Sequence, residues 1–237
     1  MSVKIAVIQF PGANCDLDTT HVLNDVVNVK ADLVWHNHFK EAHYDGVILP
    51  GGFSFGDYLR AGIIAAHSPA IDEAKIMVKD GRPVIGICNG CQILAEAQFI
   101  PGAFLRNDSL KFICKWVNLR VENNQTAFSN KMNRGDVLAL PIAHAEGRYF
   151  VDDLKELEEN NQIVFRYSTE KGELTEDANP NGSLGNIAGI CNLEHNCIGL
   201  MPHPERASEA ILSPKGTEHG KLFFNSMIEF IKRRISL

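Results

Sequence analysis

At 237 residues and 45% apolar content, the chain can bury a sizeable core without staples, as one large α/β domain or two small ones. A formal charge of −6 with no long basic run argues against nucleic acid or an anionic membrane as the main partner. Six cysteines at irregular spacing (15, 88, 91, 114, 191, 197) do not make a disulfide framework, and no segment nears the ~18 uninterrupted apolar residues of a membrane span.

The first stretch, "MSVKIAVIQFPG", has only "IAVI" as an apolar core and no small-residue cleavage site. It reads as a first buried strand rather than a signal peptide, so a reducing, cytoplasmic setting is expected. "DLDTTHVLNDVV" follows as a helix opened by an acidic cap, then "ADLVWH" and "YDGVILP" as strands. "DYLRAGIIAAH" and "AIDEAKIMVKD" read as helices, "PVIGI" as a strand and "CQILAEAQ" as a helix. Near-continuous apolar strands separated by helices predict an open, mostly parallel sheet covered on both faces. After Gly102 the pattern changes. "KFICKWVNLRVE" alternates with no helix behind it, which predicts an antiparallel addition. Further short strands are expected at "DVLALPIAH", "QIVFRY", "IAGICN" and "CIGLMPH", and "HGKLFFNSMIEFIKRR" closes as a helix with basic residues in its last turn. No linker or repeat interrupts the chain, so residues 1–237 are expected to form one domain.

"PVIGICNGCQILAEA" raises the question of chemistry. Gly86-Ile87-Cys88-Asn89-Gly90 places a cysteine between glycines where a strand passes into a helix. A nucleophile at such a turn sits in a tight backbone conformation that pushes its sulfur above the sheet's C-terminal edge, where ligands bind in open α/β folds. The helix N-terminus favours thiolate, and the Asn89 N–H is free to donate to an oxyanion. Three other readings stand beside this one. Cys88 and Cys91 also spell a redox C-x-x-C. Cys191, His195 and Cys197 offer weak zinc spacing, without a second ligand pair. Buried structural cysteines are common.

A cysteine nucleophile needs a base, and the base needs an orienter. "IGLMPHPER" ends a short apolar strand in His203-Pro204-Glu205. In an extended segment, residues two apart project to the same side, so Glu205 is placed to fix the His203 tautomer. Nine histidines are present; His36, His38, His43, His67 and His219 stand in polar or helical surroundings and suggest no role. In "DGVILPGGFSFGDYLRAG", Gly51-Gly52 after a buried strand permits backbone N–H groups to approach a substrate and complete an oxyanion hole with Asn89. A plain Gly-rich turn is the alternative. A nucleotide loop is weakly supported, since neither G-K-[ST] nor G-x-G-x-x-G is present.

P-G-G after one strand, G-x-C-x-G before a helix and H-P-E after a late strand, in this order and over essentially the whole chain, resemble the class I glutamine amidotransferases. "QFPGANCDLDT", "GGFSFGDYLRAG", "LPIAHAEGRYF", "NPNGS" and "GLMPHPER" narrow the resemblance to the glutaminase subunits of phosphoribosylformylglycinamidine synthases. Ala13 and Ala145 depart from it, where that family more often has Ser and Gly. The resemblance implies a flavodoxin-like α/β fold and a triad of Cys88, His203 and Glu205. It also implies an oxyanion site at Gly51, Gly52 and Asn89, and glutamine contacts at Gln92 and His144. Cys91 then becomes structural. The implied partners are glutamine, a large synthetase subunit that carries ATP and Mg, and a small bridging subunit. No metal or cofactor is implied in this chain. The Phe53–Arg60 loop and "NPNGS" are candidate docking segments. Two alternatives remain: a glutaminase serving another synthetase, and a non-catalytic redox or stress protein with an elbow cysteine.

Overall fold

In the computed structural model, which describes residues 3–236, the chain builds a nine-stranded sheet. Its strands are β1 (Lys4–Gln9), β2 (Lys30–Trp35), β3 (Gly46–Leu49), β4 (Val84–Ile87), β6 (Ile113–Val121), β7 (Val137–His144), β9 (Ile163–Ser168), β10 (Ile187–Cys191) and β11 (Cys197–Leu200), in the order β2-β1-β3-β4-β11-β10-β9-β6-β7. β2, β1, β3, β4 and β11 run parallel. From β11 onward each neighbour is antiparallel. The parallel half thus has the flavodoxin-type strand order, and the longer alternating strands form the expected antiparallel addition. Two short strands, β5 (Ala103–Leu105) and β8 (Arg148–Phe150), pair separately.

The inner parallel strands β1, β3, β4 and β11 are buried along nearly their whole length, as "VIGI" in β4 and "CIGL" in β11 require when both faces are covered, while the edge strand β2 is only partly buried. α3 (Asn89–Glu96) and α5 (Lys221–Ile235) supply that cover from opposite sides. Leu49 and Gly86 pair across β3 and β4, and Leu94 of α3 lies against Gly86. Gly46, three residues before Leu49 and therefore on the other face, meets Met227 and Ile231 of α5. One contiguous cluster of buried apolar side chains links the parallel strands to the antiparallel ones. No helix among the described residues is long and apolar enough to cross a membrane.

Three expectations need correction. Residues 57–67 are not a helix. Apart from a 3-10 turn at Ala65–His67, the chain there is irregular, with left-handed φ at Asp57, Leu59 and Gly62, and a Cβ at Gly62 would stand 2.7 Å from Ile93 N. Close packing against α3 overrides a helical pattern of moderate strength. The helix after β1 has its expected length but not one geometry: α1 (Asp16–His21) passes directly into a π-helical turn at Val22–Val26. Its cap is Cys15, with no side-chain cap bond, and Asp16 is already helical. Two helices complete the set, α2 (Pro69–Lys79) as expected and α4 (Leu154–Glu159), which the pattern did not suggest. α4 is opened by Asp153 accepting from Glu156 N–H at 3.0 Å.

A methyl group on Gly86 would overlap the main chain of Gly90, which cannot yield as a side chain can. Gly86→Ala should therefore cost about 3 kcal/mol and lower Tm by about 6–12 °C. A melt of the two proteins side by side checks this, and an unchanged Tm would refute the close approach.

Candidate active site

β4 ends at a backbone turn that few residues adopt. Cys88 has φ 51° and ψ −106°, a strained conformation worth about 1–3 kcal/mol that must be imposed by its surroundings. The imposition is visible. Gly90 lies so close to Leu49 that a side chain there would overlap its carbonyl oxygen. The Cys88 N–H donates to Leu200 O at 2.7 Å, and its carbonyl accepts from Cys91 N–H and Gln92 N–H at 3.0 and 3.1 Å. The first of these bonds ties the turn to β11. Cys88 is nearly buried, 6% exposed, and its sulfur lies 3.7 Å from Ala143 O.

The strand that holds this turn also carries the histidine. β11 pairs with β4 in parallel, Leu200 opposite Ile87, and three residues on stands His203, its N–H bonded to Pro141 O at 2.9 Å. His203 and Glu205 are both buried, with Nδ1 2.5 Å from Glu205 Oε1. The chain between them is not extended as the sequence suggested. Pro204 opens a 3-10 turn over Pro204–Ala207, and this turn brings the carboxylate back under the ring. With Nδ1–H donating to Glu205, Nε2 is the acceptor, and it has no hydrogen-bond partner. Burial opposes charge on His203. Glu205, Cys88 and Cys15 outweigh that effect, so the imidazole is held well above its usual range. This is the direction a buried imidazole takes when a carboxylate is held against it.

The Gly51-Gly52 turn joins the site. A Cβ on Gly51 would stand 2.8 Å from His203 Cε1, and Gly52 takes φ 150° against Ala13. The Gly51 carbonyl is spent on Asn14 N–H and Cys15 N–H. The Asn89 N–H, as the first of α3, has no intrahelical acceptor. The Asn89 side chain accepts from Ser54 N–H at 3.0 Å and donates to Asp57 Oδ1 and Gln92 Oε1 at 3.1 and 3.0 Å. Gln92 Nε2 donates to Glu146 O at 2.6 Å. Burial, then the nearby charge of Glu146, raises the Asp57 carboxyl to about 6.

His144 is buried, with Nδ1 3.1 Å from Asn107 Oδ1 and Nε2 unpartnered. Burial pushes it down to about 4. Asn107 also accepts from Gly147 N–H, and Asn181 and Ser183 donate to Gly147 O. Asn181 and Ser183 are themselves buried, so these two residues of "NPNGS" prop the loop around His144. Ala13 and Ala145 both lie in site loops: Ala13 faces Gly52, and Ala145 O accepts from Asn107 N–H.

Sequence reasoning missed Asn107, Asp57 and Cys15. Cys15 is fully buried, its sulfur 3.9 Å from His203 Nδ1 and accepting from Arg206 Nη2 at 2.9 Å. Nothing in the order of residues announces a contact across 188 positions. The zinc reading of Cys191, His195 and Cys197 is not supported. Both thiols are buried core groups, and His195 Nε2 lies 3.4 Å from Asn160 O. Among the described residues the His, Cys and carboxylate groups close enough to share an ion are Cys15, His203 and Glu205. Cys91 is fully buried against Gly199, as a structural thiol would be.

The family described as the CobB/CobQ-like glutamine amidotransferase domain matches residues 2–231. The chain belongs to that family. It is 55% identical over 231 residues to the phosphoribosylformylglycinamidine synthase subunit PurQ of Methanosarcina mazei, covering 97% of this chain and 98% of that one. The PurQ subunit of Aquifex aeolicus is 51% identical, over 95% of this chain and 99% of its own. A chain in the structure of PurLQS from Thermotoga maritima superposes with a TM-score of 0.85 at 41% identity, covering 98% of this chain and all of that one. In this amidotransferase the three strand ends β3, β4 and β11 therefore carry the glycines, the cysteine and the histidine respectively.

The neutral His144 has a thermodynamic consequence. The folded protein takes up its proton near pH 4, the unfolded chain near 6.5. Between these values the unfolded state binds more protons, so stability falls as pH drops through the window. Urea unfolding at pH 7 and pH 5 should show wild type losing about 1–2 kcal/mol more than His144→Gln. Equal losses would mean that His144 titrates normally.

Proposed function

We infer that Cys88, His203 and Glu205 act as a glutaminase triad, and that the chain, one amidotransferase domain over residues 1–237, is the glutaminase subunit of phosphoribosylformylglycinamidine synthase. The observation that carries this is the strained Cys88 turn bonded to the very strand whose end bears a buried, Glu205-held His203. A non-catalytic elbow-cysteine protein would have no use for an oriented base at that place. The close PurQ relatives disfavour a glutaminase that serves another synthetase.

His203 Nε2 takes the Cys88 thiol proton as the sulfur attacks the side-chain amide carbon of glutamine. The oxyanion is held by N–H groups at the Gly51-Gly52 turn and at Asn89. On collapse the carbon–nitrogen bond breaks, His203 gives its proton to the departing ammonia, and a glutamyl thioester remains. Water, deprotonated by His203, releases glutamate and restores the thiol. Glu205 keeps Nδ1–H in place throughout and balances the imidazolium. Gln92 and His144 contact the bound glutamine. No cofactor is needed in this subunit. ATP and Mg belong to the synthetase subunit, which activates the formylglycinamide carbonyl for attack by ammonia and yields formylglycinamidine ribonucleotide in purine biosynthesis. Direct transfer keeps the ammonia unprotonated and nucleophilic.

The partners are that large synthetase subunit and a small bridging subunit. Tyr58 and Leu59, 74% and 93% exposed on the irregular Phe53–Arg60 loop, support docking there. A cytoplasmic location accords with six free cysteines. Because Cys88 is nearly covered, the subunit turns over slowly until its partners reshape the loops around it.

Glutamate release decides the matter. Wild type and Cys88→Ser are compared, each alone and with both partner subunits, formylglycinamide ribonucleotide and ATP. Wild type should turn over rapidly only in the complete mixture, and Cys88→Ser should be at least about 1,000-fold slower. An active Cys88→Ser would remove Cys88 as nucleophile. Equal wild-type rates with and without partners would refute the dependence on docking.

A further inference from the structure

We propose that Cys15, His203 and Glu205 form an inhibitory site for a thiophilic divalent cation such as Zn²⁺, on the side of the histidine away from Cys88. A thiol, an imidazole and a carboxylate are the donors zinc takes, and here their ligand atoms lie within 4.8 Å of one another, all buried. A tetrahedral zinc with bonds of about 2.0–2.3 Å separates its ligands by about 3.3–3.6 Å. The observed separations, 3.9 Å from Cys15 Sγ to His203 Nδ1 and 2.5 Å from Nδ1 to Glu205 Oε1, lie on either side of that span. The third pair, Cys15 to Glu205, lies within 4.8 Å, so side-chain adjustments of about 1 Å bring all three into register.

A second observation points to a ligand. Glu205 is buried, yet its Oε2 has no hydrogen-bond partner, and such an orphaned carboxylate oxygen in a protein interior calls for a cation or water. Glu205 also lines a cavity of about 500 Å³, together with Asp18, His21, Trp116, Arg206 and Glu209. Three carboxylates stand on that wall, Glu209 being paired with His21, and their net charge draws cations inward. Arg206 opposes them. Its guanidinium donates to the Cys15 sulfur and its Nε lies 3.8 Å from Glu205 Oε1, so entry of an ion requires it to swing out into the cavity and the ion to take its place beside Glu205, which a half-buried side chain can allow.

Binding is an exchange of protons for metal. The Cys15 thiol loses its proton to solvent and binds as thiolate. His203 binds through the Nδ1 lone pair, so the Nδ1 proton is displaced to solvent and the proton the ring keeps sits on Nε2. That nitrogen faces the nucleophile in the proposed mechanism, and once protonated it cannot accept the Cys88 proton. The inhibitory consequence rests on the glutaminase reading; the binding itself does not.

The test uses full-length Cys88→Ser protein, in which the proposed nucleophile cannot contribute a thiolate, with Co²⁺ as spectroscopic probe and Zn²⁺ as competitor. One equivalent of Co²⁺ should bind with a thiolate charge-transfer band and the strong visible absorption of tetrahedral cobalt. Adding Cys15→Ser should abolish the band and weaken Zn²⁺ binding at least about 100-fold, since even losing an outer partner of a metal ligand costs 10–100-fold. Adding Arg206→Gln instead should tighten binding by about tenfold or more, as a neighbouring like charge is removed. In the assembled wild-type complex, Zn²⁺ should inhibit glutamate release without raising KM for glutamine. Unchanged binding after Cys15→Ser, or weaker binding after Arg206→Gln, overturns the site. Binding as described with no glutaminase activity in any assembly would keep the site and remove only its inhibitory role.

Discussion

The parallel pairing of β4 with β11 is the constraint on which the site depends. It aligns Ile87 with Leu200, bonds the Cys88 amide to β11, and so sets two side chains from distant parts of the chain at one sheet edge. β3 adds the Gly51-Gly52 turn on the other side of β4. A slip of two residues along β11 would preserve every buried face yet move His203 by about 6–7 Å. Apolar packing alone does not fix the register at that scale. The main-chain bond at the elbow and the tight approach of α3 at Gly86 and Gly90 do.

The site also concentrates polar groups that lack partners. His203 Nε2, Glu205 Oε2 and His144 Nε2 are all buried and unpaired, each at a cost of order 1–3 kcal/mol. Together with the left-handed Cys88, they place strain and unpaired polar groups side by side at this edge of the sheet. A scaffold of fully buried strands on both sides tolerates that. The same arrangement explains why the imidazole is so firmly held: removing Glu205 would leave His203 without the charge that offsets its burial.

Much of this was legible in the sequence, for definite reasons. Buried parallel strands announce themselves as short runs of Val, Ile and Leu, and the residues just beyond them, Gly51, Cys88 and His203, stand where open α/β folds keep their chemistry. The G-x-C-x-G pattern is readable because close approach leaves room only for glycine. Residues 57–67 misled because their apolar spacing suits a helix, while the packing that forbids one comes from Gln92 and Ile93, thirty residues away. The support under His144 was hidden similarly: Asn107, Asn181 and Ser183 are ordinary polar residues whose burial depends on three loops meeting. Cys15 belonged to a recognisable segment, but its contact with His203 exists only after the sheet closes.

The side chain of Asn89 joins two places at once. It accepts from Ser54 N–H and donates to Asp57 in the loop that exposes Tyr58 and Leu59, while its own main chain opens α3 beside Cys88. Anything that settles on that loop and shifts it must disturb or perfect the donor at the helix start. Linkage makes the traffic two-way. If grip on the loop strengthens glutamine binding by some factor, bound glutamine strengthens the grip by the same factor, and the amide of one asparagine becomes the point where substrate supply and subunit assembly are read against each other.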